Sequence, residues 1–284
     1  MINFAGYRKG KLTGEQEYLA KHYGATIFQF ESDRLEKHCP VEFAITCRYL
    51  GRHVLSGAVV ADVGVGVGHY SQFLVHKGCS VHLVDISVEL LRAARERLER
   101  ADFGGQIKGI HRTSATELGC IESGSLDALL MLGPFYHLRE PDQRRRAVRE
   151  ARRILKSRGI LFAAAVNRMA YLRDLFRERP EEVAVRKAFH RGFLKDGKLD
   201  PEHAPPIGYA HLTTVSEFRK LFAEAFEELA LVGTDSFTTA WQSKLAGLSP
   251  GAREAWLDLV EETGGTPEGL RSTPRRFSRR TTAW

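Results

Sequence analysis

Residues 59–68 carry the pattern with the clearest chemical meaning, an apolar run that contains one acid and continues into three glycines. The stretch reads Val-Val-Ala-Asp-Val-Gly-Val-Gly-Val-Gly, with the acid at Asp62. A β-branched apolar run predicts a buried strand, and glycines let backbone N–H groups approach a ligand where the next helix begins. The pattern therefore predicts a binding site for a nucleotide-type ligand.

The spacing of the glycines narrows the class of ligand. The dinucleotide fingerprint G-x-G-x-x-G fails because, counted from Gly64 and Gly66, its third glycine would fall on His69. The P-loop fails as well, since no Gly-Lys-Ser/Thr follows to hold phosphates and a metal ion. Asp62 would also repel a pyrophosphate. These observations disfavour both a hydride-transferring enzyme and a P-loop NTPase.

A second acid lies at the end of the next predicted strand. The apolar run 81–84 ends at Asp85, and a helix is predicted over residues 87–100. A carboxylate accepts hydrogen bonds from both hydroxyls of a ribose, and nucleoside-binding α/β folds place one about twenty residues beyond the glycine turn. Alone, Asp85 would be an ordinary acid near a helix N-terminus. Paired with the glycine turn, it predicts a ribose contact.

Two segments carry a resemblance to a known family. Residues 62–68 resemble the first motif, D/E-x-G-x-G-x-G, of the class I S-adenosylmethionine-dependent methyltransferases. The segment Leu132–Leu138, Leu-Gly-Pro-Phe-Tyr-His-Leu, resembles a loop of bacterial small-molecule methyltransferases that lies between cofactor and acceptor. The resemblance covers roughly residues 20–235. It implies S-adenosylmethionine as the cofactor and transfer of its methyl group to an oxygen or nitrogen of a small molecule.

The resemblance also implies which residues hold the cofactor. In that family the acid at the position of Asp62 helps to hold the amino group of the methionine part, and the glycine turn lies against that part. Ser114 stands where the family usually has an acid beside the adenine, so Ser114 and Ala115 are assigned to the adenine. The implied cofactor-binding residues are Tyr23, Asp62, Gly64, Gly66, Gly68, Asp85, Ile86, Ser114, Ala115, Leu132 and Gly133.

The predicted elements divide the chain into four parts. Residues 1–56 form a helical cover, 57–166 a core of alternating strands and helices that ends on a fifth strand over 159–166, 167–213 an inserted acceptor lid, and 214–284 the completion of the core. Right-handed βαβ connections give a parallel sheet with ligands at its carboxyl edge. The predicted fold class is therefore α/β, with a Rossmann-like methyltransferase sheet and helices on both faces.

Candidates for the acceptor side come from two segments that should emerge at this edge. The loop after strand four provides Tyr136 and His137, and the lid provides Tyr171, Tyr209 and His211. These five residues are the predicted substrate-binding set. An imidazole with a pKa near neutrality can remove one proton, so His211 and His137, with Tyr209 beside them, are the predicted catalytic residues. The alternative for each histidine is a purely structural role.

The net charge of +7 could attract nucleic acid, anionic membranes or acidic small molecules, so the placement of the charge matters. Arginines between 144 and 153 belong to a predicted amphipathic helix whose solvent face accommodates them. A second basic run, 271–280, is poorly hydrophobic for a final strand. The sequence leaves open whether this run enters the sheet, and we expect cofactor binding not to require it.

The remaining composition limits the compartment and the partners. The four cysteines lack C-x-x-C spacing, which argues against a zinc site or a disulfide framework. With no run of eighteen apolar residues, we predict a cytoplasmic enzyme that has a small-molecule acceptor and neither a metal, a membrane nor a specific nucleic acid as partner. The oligomeric state stays open, a homodimer included. The alternatives are an RNA or protein methyltransferase, and a cofactor-binding protein that transfers no methyl group.

Overall fold

The computed structural model describes residues 12–271 and 274–280, so the first eleven residues of the predicted cover lie outside the described part. The strands are β1 Val59–Val63, β2 Ser80–Asp85, β3 Ile107–Arg112, β4 Leu126–Met131, β5 Leu155–Ala164, β6 Lys198–Leu199, β7 Ala210–His211, β8 Phe226–Gly233 and β9 Pro274–Arg280. The helices are α1 Gly14–Lys21, α2 Phe28–Asp33, α3 Pro40–His53, α4 His69–His76, α5 Val88–Arg100, α6 Pro141–Ile154, α7 Arg168–Glu178, α8 Glu182–Val185, α9 Lys187–Asp196, α10 Val215–Phe222 and α11 Pro250–Gly264. Two π-helical turns, His22–Thr26 and Arg34–His38, flank α2.

Within the described residues, seven strands form one sheet in the order β3-β2-β1-β4-β5-β9-β8. The first five strands run parallel, and β9 is antiparallel to both of its neighbours. This arrangement confirms the predicted α/β fold with a Rossmann-like sheet. The short strands β6 and β7 pair with each other outside this sheet.

Alternate residues of the central strands face opposite layers of helices, as the period of two in a strand requires. On one side Ala61, Leu129 and Leu161 pack in a core that includes the apolar faces of α6 and α10. On the other side Val60 and Leu130 pack in a core with α3, α4 and α5. Both faces of the sheet are covered, which leaves the carboxyl ends of the parallel strands as the open edge.

The segment 167–213 forms a small unit with its own apolar core, which includes Phe193, Leu199 and Leu212. An ion pair links its helix α7 to α10. Arg168 Nη2 donates to both carboxylate oxygens of Glu217, at 2.8 Å each. The side chain of Arg168 is only 6% exposed, whereas that of Glu217 is 45% exposed, so the ion pair is shielded from solvent on the arginine side alone. The pair fixes the base of the insertion against the core.

The basic segment near the C-terminus forms a strand, which answers the question that the sequence left open; that cofactor binding does not require it stays a prediction. Strand β9 lies inside the sheet between β5 and β8, pairing Ser278 with Leu161 on one side and with Glu228 on the other. Strand pairing uses backbone groups, so a strand with hydrogen-bonding neighbours on both sides does not need a continuous apolar run. Without β9, β5 and β8 would each lose a neighbouring strand.

We predict that Ser278→Asp destabilises the protein strongly, because Ser278 is 1% exposed and the substitution would bury a larger, charged side chain. The expected loss in the free energy of unfolding is about 3 kcal/mol or more, measured by urea denaturation. Glu227→Gln, at an exposed position on β8, is the control and should stay within about 0.5 kcal/mol of the wild type. An unchanged midpoint for Ser278→Asp would contradict the placement of β9 inside the sheet.

Candidate functional site

A pocket lies at the carboxyl ends of the four parallel strands β1 to β4. Its cavity volume is about 110 Å³. Its walls combine residues that follow these strands with residues of the N-terminal helices and of the loop after β4. They are Gln16, Leu19, Tyr23, Glu31, Val63, Gly64, Gly66, Asp85, Ile86, Leu90, Thr113, Ser114, Ala115, Gly133, Pro134, Tyr136, His137 and Leu138.

The glycine turn after β1 forms the floor of the pocket, and its three glycines all have positive φ. Gly66 has φ of +56°, and a Cβ there would lie 3.4 Å from Glu31 Oε1. Gly68 has φ of +85° at the start of α4, and a Cβ there would lie 3.0 Å from the Cβ of Ala94 on α5. Both positions have a left-handed backbone, so a side chain would be strained at either, and at Gly68 it would also crowd Ala94. The turn therefore offers bare backbone to a ligand at Gly66.

The Asp85 carboxylate is held in the pocket by two backbone donors. Gly66 N–H donates to Oδ2 at 3.2 Å, and Ser87 N–H donates to Oδ1 at 2.9 Å. Burial raises the pKa of Asp85 to about 6, although these hydrogen bonds favour the charged form. A carboxylate has about four acceptor positions, so Asp85 can still accept from a ligand hydroxyl, and its contact with a ribose stays a prediction.

The lining of the pocket is negatively charged. Glu31 and Asp85 contribute carboxylates, and the lining contains no Lys or Arg. The histidine in the wall, His137, is kept neutral because burial lowers its pKa to about 4. A ligand that carries positive charge would be attracted by this pocket, and an unshielded pyrophosphate would be repelled.

Three of the predicted cofactor-binding residues lie behind the walls rather than in them: Asp62, Gly68 and Leu132 are buried but absent from the lining. Asp62 accepts a hydrogen bond from Ser71 Oγ at 2.8 Å, and burial raises its pKa to about 7. At neutral pH Asp62 is thus divided between its charged and neutral forms. The other eight predicted residues of this set line the pocket.

The end of the pocket near residues 113–115 contains a contact that sequence reasoning missed. Gln16 Nε2 donates to Ser114 Oγ at 2.8 Å, and Gln16 Oε1 accepts from Thr13 N–H at 3.0 Å. The second amide proton of Gln16 is available to a ligand. The Thr-x-x-Gln capping box indicates a helix start at Thr13, but nothing local indicates that Gln16 reaches a strand end 98 residues away.

One chain of hydrogen bonds joins the helical cover, the loop after β4 and the lid. His137 Nδ1 lies 2.9 Å from the carbonyl oxygen of Tyr209, and His137 Nε2 lies 3.0 Å from the hydroxyl of Tyr23. A carbonyl cannot donate, so Nδ1 carries the proton, and Tyr23 donates its hydroxyl proton to Nε2. Burial raises the pKa of Tyr23 well above its ordinary value, so this hydroxyl stays protonated. The free lone pairs of the Tyr23 oxygen remain available to a ligand.

The lid residues predicted to face the ligand are not in the pocket. The Tyr209 ring packs against Tyr18 and Arg139, so Tyr209 reaches the site only through its carbonyl oxygen. Tyr171 lies inside the lid core, with its ring centroid 4.6 Å from that of Phe193. A lid that folds around its own apolar side chains draws its aromatic rings inward and away from the sheet edge.

His211 lines a second cavity on the other side of the loop that follows β4. We call this cavity the basic groove; it is lined by the bases Arg144, Arg145, Arg149, Arg152, Arg168, Lys195, Lys198 and Lys220, together with four acids. Phe135 faces the groove, whereas its neighbours Pro134 and Tyr136 face the pocket. Burial lowers the pKa of His211 to about 4. His211 is therefore separated from Asp85 by the loop.

Two further properties concern only the described residues. No group of three or more His, Cys, Asp or Glu side chains in residues 12–271 and 274–280 is arranged to hold a metal ion. In the same part of the chain, no helix combines the length and the apolar character that a membrane span requires.

The family model described as a methyltransferase domain matches residues 61–163. This stretch includes the glycine turn, Asp85, Ser114 and His137, but neither the N-terminal helices nor the lid. A ubiquinone biosynthesis O-methyltransferase from Xanthomonas oryzae pv. oryzae is 31% identical over 118 residues, which are 40% of this chain and 45% of the relative. The chain thus spans about half the length of the curated relatives that it matches.

Solved structures extend the likeness of the fold beyond the matched stretch. The magnesium protoporphyrin IX methyltransferase from Synechocystis, determined with bound SAH, aligns with a TM-score of 0.59 at 15% identity, covering 94% of this chain and 100% of that chain. A SAM-dependent methyltransferase from Methanosarcina mazei aligns with a TM-score of 0.55 at 18% identity, covering 83% and 98%. At these identities the likeness concerns the fold alone.

We predict that Asp85 makes the protein less stable as the pH rises from about 4 to about 6. Because its folded pKa of about 6 exceeds the unfolded value of about 3.9, the folded chain binds this proton more tightly than the unfolded chain. The contribution is largest below pH 4 and is lost as the pH rises through the folded pKa. Asp85→Asn should reduce the difference in unfolding free energy between pH 4.5 and 7.5 by about 2 kcal/mol.

Urea titrations at the two pH values measure this difference. Any loss of unfolding free energy that the substitution causes equally at both pH values therefore cancels. Glu96→Gln, at an exposed position on α5, is the matched control and should keep the wild-type difference. If Asp85→Asn also kept it, the pKa of Asp85 would be the same in the folded and the unfolded protein.

Proposed function

We propose that the chain transfers the methyl group of S-adenosylmethionine to an oxygen or nitrogen of a small molecule, and the match of residues 61–163 to the methyltransferase domain model supports this. The observation that carries this proposal is a pocket at the strand ends with two carboxylates and no Lys or Arg in its lining. S-adenosylmethionine carries an ammonium and a sulfonium against one carboxylate, so its net charge has the complementary sign. A nicotinamide dinucleotide, with its pyrophosphate, has the wrong charge for this lining.

The residues present fit the cofactor part by part. Asp85, fixed by two backbone N–H groups, suits the ribose diol, and the wall of Ile86, Leu90 and Ala115 suits the adenine ring. The glycine turn at Gly66 leaves room for the amino-acid tail. When bound, the cofactor supplies a methyl group that is activated by the positive charge on sulfur, so the protein mainly has to position the acceptor and exclude water.

On the acceptor side, Tyr23 and His137 form a path for the proton that the acceptor must lose. A hydroxyl or amine that donates to the Tyr23 oxygen can pass its proton there, while the Tyr23 proton moves to His137 Nε2. The acceptor proton becomes strongly acidic as the new bond to carbon forms, so a base with a pKa of about 4 is sufficient. His137 and Tyr23 take the catalytic roles in this proposal, in place of His211.

The acceptor class is a small molecule, and oxygen is the favoured atom. The curated relatives carry the printed name of an O-methyltransferase of ubiquinone biosynthesis, which supports transfer to oxygen. Tyr136 and Leu138 line the pocket next to His137 and would contact the acceptor. We place the reaction in the cytoplasm on the pattern of the four cysteines, which have no spacing typical of disulfide frameworks or zinc sites.

An RNA methyltransferase is the second candidate, and the basic groove is the observation that favours it. Eight bases against four acids would attract a polyanion. The groove, however, lies across the loop from the pocket, because Phe135 faces the groove while Pro134 and Tyr136 face the pocket. The loop would separate an RNA strand bound in the groove from the methyl group. The small-molecule acceptor therefore remains the proposal.

We predict that the protein binds S-adenosylhomocysteine in a calorimetric titration and does not bind NAD. Asp85→Ala should weaken binding by roughly 1–3 kcal/mol, because two ligand hydroxyls lose a charged acceptor. Glu96→Ala, on the exposed side of α5, is the control and should bind like the wild type. Binding of NAD without any response to S-adenosylhomocysteine would refute the proposed function.

We further predict that Tyr23→Phe lowers kcat/KM for methyl transfer by about a hundredfold, since it removes the hydroxyl that relays the proton to His137. The acceptor is first identified as the compound in fractionated cell extract that gains label from the methyl-labelled cofactor. Affinity for S-adenosylhomocysteine should change less than twofold. Tyr18→Phe, on the same helical cover but outside the pocket lining, is the matched control.

Two outcomes would contradict these assignments. Full activity of Tyr23→Phe would remove the proton path, leaving positioning alone. If the labelled product were RNA, and transfer fell steeply with salt concentration, the nucleic-acid function would replace the small-molecule one.

A further inference from the structure

Glu31 is the second carboxylate of the pocket, and it comes from the N-terminal helical cover. It lies on α2, between the two π-helical turns, and lines the pocket beside Gly66. Its Oε1 atom is 3.4 Å from the point where a Cβ on Gly66 would be. The carboxylate therefore faces the part of the glycine turn that is left bare by the absence of a side chain.

The hydrogen-bonding capacity of Glu31 is largely unused. In the described part of the chain its ion-pair partner is Arg34, whose Nε lies 3.3 Å from Oε2 and 3.5 Å from Oε1. Arg34 makes its shorter contact elsewhere, from Nη1 to Glu42 Oε1 at 3.0 Å. A carboxylate has about four acceptor positions, so Glu31 can still accept from a donor in the pocket.

The carboxylate at the end of β1 is less suited to hold a cation in the pocket. Asp62 is 2% exposed, does not line the pocket and accepts from Ser71 Oγ at 2.8 Å. Burial also raises its pKa to about 7, which reduces its charge at neutral pH. Asp85 lines the pocket but is bonded to the Gly66 and Ser87 N–H groups at the end of β2. Glu31 is thus the pocket carboxylate without a backbone donor.

We infer that Glu31 binds the primary ammonium of the cofactor's amino-acid tail, so that the helical cover, and not the acid of the first strand, recognises this charge. The inference rests on the proposed function, because it assigns a subsite within the S-adenosylmethionine pocket. It has a structural consequence: the cover, which lies outside the matched stretch 61–163, supplies a binding contact. Cofactor binding then couples residues 28–33 to the glycine turn.

The test uses two probes that share the adenosine and the sulfur but differ in the tail. S-adenosylhomocysteine carries the ammonium, whereas 5′-methylthioadenosine has no amino-acid tail. Their affinities are measured by calorimetry for the wild type, Glu31→Gln, Asp62→Asn and Glu36→Gln. The Gln substitution keeps an oxygen that can accept from Arg34. Glu36 is the matched control, since it lies on the same cover but outside the pocket lining.

We expect Glu31→Gln to weaken S-adenosylhomocysteine at least tenfold, about 1.4 kcal/mol, and 5′-methylthioadenosine less than twofold. Asp62→Asn and Glu36→Gln should each change the affinity for S-adenosylhomocysteine less than threefold. Equal losses for both probes in Glu31→Gln would overturn the inference, as would a tenfold loss confined to Asp62→Asn. A wild-type protein that binds neither probe would instead refute the proposed function, so the two failures are distinguishable.

Discussion

The pocket depends on one buried carboxylate that joins two strand ends. Asp85 lies at the end of β2 and accepts from the N–H of Gly66 in the turn after β1 and from the N–H of Ser87 at the start of α5. These bonds fix the position of the turn relative to the helix. Because burying a carboxylate without a cation is unfavourable, the two backbone donors offset only part of the cost. The arrangement is unfavourable for folding and favourable for a ligand with hydroxyl groups and positive charge.

The distribution of charge over the molecule separates ligand recognition from the basic surface. The chain has a net charge of +7, yet the pocket lining holds two acids and no Lys or Arg, while the bases concentrate in the groove on the other side of the β4 loop. A loop of a few residues thus separates regions of opposite sign. In a partly desolvated pocket such charges act more strongly than in water, so they decide whether a positively or a negatively charged ligand is preferred.

His137 connects three parts of the chain that are distant in sequence. It lies in the loop after β4, accepts from Tyr23 of the cover and donates to the carbonyl oxygen of Tyr209 in the lid. Both ring nitrogens are occupied, which fixes the tautomer and the orientation of the ring. A displacement of the cover or the lid would therefore change the acceptor side of the pocket.

Local sequence patterns determined those parts of the protein whose conformation depends on residues close together in the sequence. The glycine turn and the strands that lead to Asp62 and Asp85 were predictable, because periodicity and glycine spacing act over a few residues, and the loop 132–138 was identified by its resemblance. Tertiary structure decided the rest. Gln16 and Glu31 enter the pocket through a helical cover that no short motif places there, and His211 is moved out of it by the folding of the lid. The sequence left β9 open because its run is poorly hydrophobic, whereas in the structure its backbone pairs with a strand on each side.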